Sequence, residues 1–170
     1  MQIHKVPLMN KKEYDELITE SYVGRIGFKG EYPYIAPFIY VFDGNFLYFL
    51  SIKYGKKIKR FKSNPKVAVE IEKYEDNLSE YRFVTLQGSI KQVEEYNEKL
   101  NVRKRFVNLI QNKPLSKNVL AALGHSPNDE LESIINEERS FVWKLVEVES
   151  IIGIKNSWSI LKRRLLPKKI

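Results

Sequence analysis

The sequence predicts a mainly β protein with helices, built as a six-stranded antiparallel barrel with flanking helices. Three observations carry that expectation. About six runs are rich in β-branched and aromatic residues, the composition a packed pleated surface favours. Gly, Asp-Gly and Asn-Pro signals separate them. Three or four further segments switch to helical periodicity, and the strands pair mostly with their sequence neighbours.

In chain order, Asn10 with Glu13 three residues on forms an N-cap pair for a helix of about ten residues. Its apolar stripe, Tyr14, Leu17 and Ile18, is expected against the barrel. Tyr22–Phe28 reads as a strand, and Lys29-Gly30 turns into a central hairpin that Tyr32-Pro33 opens. The hairpin arms run Tyr34–Phe42 and Asn45–Ile52, and Asp43-Gly44 between them predicts a type I′ turn. Neither arm alternates cleanly between apolar and polar residues. Both faces are therefore expected to be covered, in a small closed barrel or at a subunit interface.

Ser63-Asn64-Pro65 stops a short basic helix and launches a strand, Lys66–Ile71. An acidic loop, Lys73–Glu80, precedes the longest strand, Tyr81–Val93, in which Gly88 predicts a bulge or a sharp bend. Glu94–Gln111 reads as a helix and Leu115–Leu123 as helical or irregular. Ser126-Pro127-Asn128-Asp129 predicts the start of a helix reaching about Glu138. Ser140–Ile152 is the closing strand, with Val142, Lys144 and Val146 alternating with Phe141, Trp143 and Leu145.

A length of 170 residues is that of one domain, expected over residues 1–154 with a basic tail over residues 155–170. The net charge is +8, but Lys155 to Ile170 carries six cations and no acid, leaving 23 basic against 21 acidic residues elsewhere. Basic charge confined in this way argues against a broad nucleic-acid surface. Zero cysteines exclude disulfides, thiolate nucleophiles and zinc–cysteine sites, in keeping with a cytoplasmic setting. No apolar run reaches spanning length, and MQIHKVPLMNKKEYDEL has no apolar core of signal-peptide length.

The second cluster of charge is the informative one. Lys53, Lys56, Lys57, Lys59, Arg60 and Lys62 surround Gly55 with no carboxylate among them. A glycine that lets a ligand approach the backbone, a helix start with unpaired N–H groups and several ammonium groups together suit a phosphate. The bland alternative is a solvated helix face. Tyr54-Gly55-Lys56-Lys57 is not the end of a P-loop, because Leu50 stands where the first glycine belongs and Lys57 where Ser or Thr would hold magnesium. Gly24, Gly27 and Gly30 lack both the spacing and the βαβ context of a dinucleotide fingerprint.

Taken in order, seven stretches resemble the pyridoxamine-phosphate-oxidase-like FMN-binding split barrels, including their nitroimidazole-resistance branch. They are Val23-Gly24-Arg25-Ile26-Gly27-Phe28, Tyr32-Pro33-Tyr34-Ile35-Ala36-Pro37-Phe38, Asp43-Gly44, Leu47-Tyr48-Phe49, Gly55-Lys56-Lys57, Asn64-Pro65-Lys66-Val67 and Tyr81-Arg82 through Gly88. The resemblance covers about Asn10 to Ile154 and implies FMN held between the subunits of a homodimer. It sets Ala36, Pro37, Phe38, Ile39 and Tyr40 along the isoalloxazine ring, Leu50 and Ser51 by the ribityl chain, and Gly55, Lys56 and Lys57 at the phosphate. Arg82 and Phe83 match a further flavin contact, although many relatives carry a small polar residue where Phe83 stands. Read singly, Pro37, Phe38 and Ile39 are ordinary core residues, Ser51 ends a strand, and Arg82 pairs with the acidic loop before it.

No catalytic side-chain constellation is visible: His4 and His125, without cysteine, form neither a metal cluster nor a triad. That suits a flavoprotein, whose cofactor carries the redox chemistry itself. The function the resemblance implies is an FMN-dependent oxidoreductase acting on a small-molecule electron acceptor or donor. The Arg-Leu-His segment of true pyridoxine-phosphate oxidases is missing, and Ile160-Leu161-Lys162-Arg163-Arg164 does not replace it. The alternatives are a non-catalytic module for flavin or another phosphate ligand and, less favoured, a basic-tailed nucleic-acid-binding protein.

Overall fold

In the computed structural model, which describes residues 6–156, Asn10 opens helix α1 (Lys11–Glu20) with a complete capping box. The Glu13 N–H donates to Asn10 Oδ1 at 3.0 Å and the Asn10 N–H donates to Glu13 Oε2 at 2.9 Å, which satisfies two donors that a helix start leaves unpaired. Leu17 and Ile18 are buried as expected, and Tyr40 Oη donates to Ile18 O at 2.8 Å, tying the helix to the barrel.

Six strands follow: β1 (Val23–Phe28), β2 (Tyr34–Phe42), β3 (Leu47–Ile52), β4 (Lys66–Tyr74), β5 (Tyr81–Gln92) and β6 (Ser140–Lys155). They close a barrel in the order β1-β2-β3-β6-β5-β4, every pair antiparallel. The expected antiparallel barrel is therefore what forms, with β6 entering between β3 and β5. The register shifts between Gln87↔Ser150 and Ser89↔Val146, so the bulge lies in β6, across from Gly88, where Glu147 takes a positive φ. A Cβ on Gly88 would lie 2.7 Å from Val146 O, which makes glycine a steric requirement at this crossing.

Two expectations change. The ladder between β2 and β3 begins at Phe42↔Leu47, so Asp43–Phe46 is a four-residue loop and not a two-residue type I′ turn. Asp43 Oδ1 accepts from the N–H groups of Asn45 and Phe46, both at 2.8 Å, and Gly44 alone takes a positive φ, +102°. The side chain supplies the acceptor that closes the loop. Burial raises the cost of charging Asp43, but these donors outweigh it and hold its carboxyl below the usual range.

The segment after Ser126 is the other change. Asp129 Oδ2 accepts from the Ser126 N–H at 2.9 Å, as a cap would, yet the helix is confined to α5 (Ser133–Asn136). The signal closes a single turn, with the Asp129 N–H donating to Ser126 O at 3.0 Å, and Arg103 is found at the far end of the segment. Its guanidinium donates to Ile134 O at 2.9 Å and to Ser140 O at 2.7 Å, occupying the carbonyl that a continuing helix would use four residues on.

Buried side chains fall into two groups. Inside the barrel are Phe28, Phe38, Phe49 and Trp143 with Val69, Ile71 and Val84. Outside it, Val41, Tyr48, Leu50 and Val142 lie beneath α3 (Tyr96–Asn112), α4 (Val119–Ala122) and α5. Strand β3 is thus enclosed on both faces, as its composition predicts, but its outer cover comes from this same chain. Lys155 belongs to β6, where it pairs with Arg82 in the ladder and its ammonium meets Glu13. The rest of the expected basic tail, residues 157–170, lies outside the described residues.

Candidate functional site

Where β3 ends, Gly55 at φ +97° swings the chain into α2 (Lys56–Ser63). A Cβ at Gly55 would meet nothing within 4 Å, so the backbone there is open to a ligand. No side chain caps the helix start. Ile58, buried, and Phe61, whose ring is 4.9 Å from that of Trp143, seat the helix on the barrel mouth.

The cations around this start are unusual in what they lack. Arg25, Lys73, Arg82, Lys144 and Lys155 each reach a carboxylate. Among the described residues, none of Lys53, Lys56, Lys57, Lys59, Arg60 and Lys62 does. Lys57 is half-buried with its ammonium 4.9 Å from the Phe38 ring centroid, and desolvation pulls its pKa below the usual lysine value. Lys56 lies 5.2 Å from the Tyr34 ring and Lys53 5.4 Å from that of Phe141. Aromatic faces offset part of the desolvation cost, and an anion would offset the remainder.

The other sequence-predicted residues divide between faces. Ala36, Phe38 and Tyr40 point into the barrel, whereas Pro37 is exposed on the outside and Ile39 partly so. Tyr40 gives its hydroxyl to Ile18 O, and burial pushes its pKa well above the normal tyrosine range. Leu50 is 2% exposed beneath the outer helices, and Ser51 is fully buried with Oγ donating to Ile52 O at 3.1 Å. Neither offers an open side-chain surface within one chain. His125, 4% exposed, meets Ser133 Oγ through Nδ1 at 3.1 Å, and His4 lies outside the described residues. No cluster of three metal-ligating side chains exists among the described residues.

A family model described as pyridoxamine 5'-phosphate oxidase matches residues 10–134 of this barrel. The chain belongs to that family. A curated relative, an uncharacterized protein of Rhizobium meliloti, is 31% identical over 84 residues, 49% of this chain and 54% of that one. The match thus spans about half the length of that relative. Among solved structures, a FAD-binding protein of Mesorhizobium loti aligns at 20% identity and TM-score 0.61, covering 89% of this chain and 96% of that one. A protein assigned to 5-nitroimidazole antibiotic resistance in Bacteroides thetaiotaomicron aligns at 17% identity and TM-score 0.63, covering 89% and 87%. The heme storage protein of Vibrio cholerae aligns at 11% identity and TM-score 0.62, covering 85% and 94%. These three likenesses concern the fold.

Within this pyridoxamine 5'-phosphate oxidase family barrel, Arg82 and Phe83 sit apart from the cationic turn. Lys66, just after α2, pairs with Ser89, which lies about 23 Å along β5 from Arg82 at ~3.3 Å per residue. Arg82 donates to Glu20 Oε2 at 3.0 Å, in place of the acidic loop the sequence suggested as its partner. Phe83 packs with Tyr81, ring centroids 5.4 Å apart. Sequence reasoning missed Trp143, Tyr34 and Arg60 as builders of the mouth. The Ile58–Phe61 spacing announces that α2 docks, but nothing local names the strand residue that receives it.

Proposed function

We propose that the protein binds FMN, with the flavin phosphate at Gly55, Lys56 and Lys57, and works as an FMN-dependent oxidoreductase of a small-molecule electron acceptor or donor. The observation that carries this reading is the half-buried, unpaired Lys57 at an uncapped helix start amid five further unpaired cations. That donor set fits a phosphate monoester: backbone N–H groups at the helix start, two ammonium groups, and open space at Gly55. Family membership and the FAD-binding neighbour support a flavin as the group attached to it. A bound flavin supplies the hydride or electron transfer. The chain's own residues hold and orient it.

A homodimer belongs to the same reading. Ile35 on β2 is 65% exposed, Val23 on β1 45% and Ile152 on β6 56%, separate apolar side chains on the barrel's outside that a second subunit would cover. A second subunit would also offer its own Arg82 and Phe83 positions to the first subunit's site. The same reading places the protein in the cytoplasm, a setting with which the absence of cysteine agrees.

The test is the visible spectrum of purified protein before and after FMN, repeated with Lys56→Ala/Lys57→Ala. Flavin bands that survive desalting in the wild type and fade in the double variant support the reading. A Soret band in place of flavin bands would move the ligand to haem, and failure to bind any flavin would sink the FMN assignment. Turnover of NADH or NADPH with an electron acceptor separates an enzyme from a flavin-carrying module.

A further inference from the structure

Arg60 differs from the other five cations of the cluster. Its Nη2 donates to Tyr32 O at 3.2 Å, across to the turn between β1 and β2. Its guanidinium fills the volume a side chain at residue 30 would occupy: a Cβ on Gly30 would stand 1.9 Å from Nη1, 2.4 Å from Cζ and 3.0 Å from Nε. Gly30 has no positive φ, so what a side chain there would displace is the Arg60 guanidinium, with no backbone conformation at stake. Arg60 sits one helical turn beyond Lys56 on the same side of α2. The apolar contacts of Ile58 and Phe61 hold the opposite side of the helix on the barrel.

We propose that Arg60 is a positioning residue for the phosphate site and not a phosphate ligand, clamping α2 to the β1–β2 turn through the slot that Gly30 leaves open. The clamp sets where the helix start, Lys56 and Lys57 point. This inference rests on the FMN reading for its ligand, while the clamp itself concerns the free protein.

Gly30→Ala is the discriminating variant, because it keeps all six charges and evicts only the flexible end of Arg60. Arg60→Lys keeps the charge but loses the planar fork. Flavin fluorescence quenching would measure FMN and riboflavin affinities across a salt series, and hydrogen exchange would follow the α2 amides without ligand. Both variants are expected to lose about tenfold in FMN affinity, the scale of one displaced charge-assisted hydrogen bond, with riboflavin affinity changed less than about twofold. The salt slope of Gly30→Ala should match wild type, and its α2 amides should exchange faster. Wild-type FMN affinity in both variants, with a loss confined to Arg60→Gln, would make Arg60 a source of charge alone and overturn the proposal. If wild type binds neither flavin, the FMN reading falls and exchange judges the clamp: unchanged α2 exchange in Gly30→Ala overturns it, and faster exchange sustains it.

Discussion

The Lys57 ammonium stands 4.9 Å from the centroid of the Phe38 ring, half-buried and without a carboxylate partner. Phe38 is held in place by the barrel, with its ring 5.8 Å from Phe49 and 5.9 Å from Trp143. A cation kept at such a mouth costs stability in the free protein, and a phosphate there would find its counter-charge already oriented.

Lys57→Met should therefore separate stability from binding. Removing a partly desolvated, unpaired cation while keeping its alkyl stem is expected to leave the melting temperature unchanged or slightly higher. FMN affinity should fall by about tenfold or more, the worth of a charge-assisted contact. Thermal melts and a flavin titration on one preparation check both halves; a clear loss of stability would make Lys57 a structural residue.

Lys57 also predicts an alkaline dependence. Desolvation lowers its folded pKa below 10.5, so in the window just under 10.5 the unfolded chain binds more protons than the fold. Stability of the free protein from this group consequently rises with pH there, whereas FMN affinity, which needs the charged amine, falls. Titrations between neutral pH and about pH 10 should show that fall in wild type and not in Lys57→Met.

His125 predicts the opposite end of the range. Desolvation first, then the nearby Arg139, lowers its pKa below 6.5, against the smaller pull of Glu137 and Asp129, and Arg103 adds to the lowering. Between that lowered value and 6.5 the unfolded chain takes up the proton and the fold does not, so stability is lost as pH falls through this window. Urea midpoints for wild type should drop on going from pH 7 to pH 5, and His125→Gln should flatten that drop.

Gly88→Ala tests the bulge. Its new Cβ would press on Val146 O at 2.7 Å and Glu147 O at 3.3 Å, backbone atoms that cannot swing away. A cost of about 1–3 kcal/mol in urea unfolding is expected, the usual penalty for forcing atoms into packed space. Equal stability would mean that the β5–β6 crossing is looser than the register implies.

Much of the fold was legible because its signals are short-range. The Asn10–Glu13 box, the strand runs and the Asn64-Pro65 stop each act within a few residues, and each stands where the sequence put it. Asp43-Gly44 was seen as a turn, but its type depended on a side-chain acceptor that bonds two N–H groups at once. The capping signal at Ser126 closes only a single turn, and the helix forms from Ser133, where Arg103, more than twenty positions away from Ser126 in sequence, bonds the carbonyl of Ile134.

The sequence by itself determined the barrel class, its strand segments and the cationic turn at Gly55–Lys57, since periodicity, capping and charge clustering are written along the chain. Tertiary closure decided which surface each residue faces. It gave β3 a cover of the chain's own helices, put Phe38 under Lys57 and Trp143 under Phe61, and carried Arg82 to Glu20 at the far end of the barrel. Those pairings follow from bringing β6 between β3 and β5, a long-range choice made by the packing of the whole core, which no local run of residues encodes.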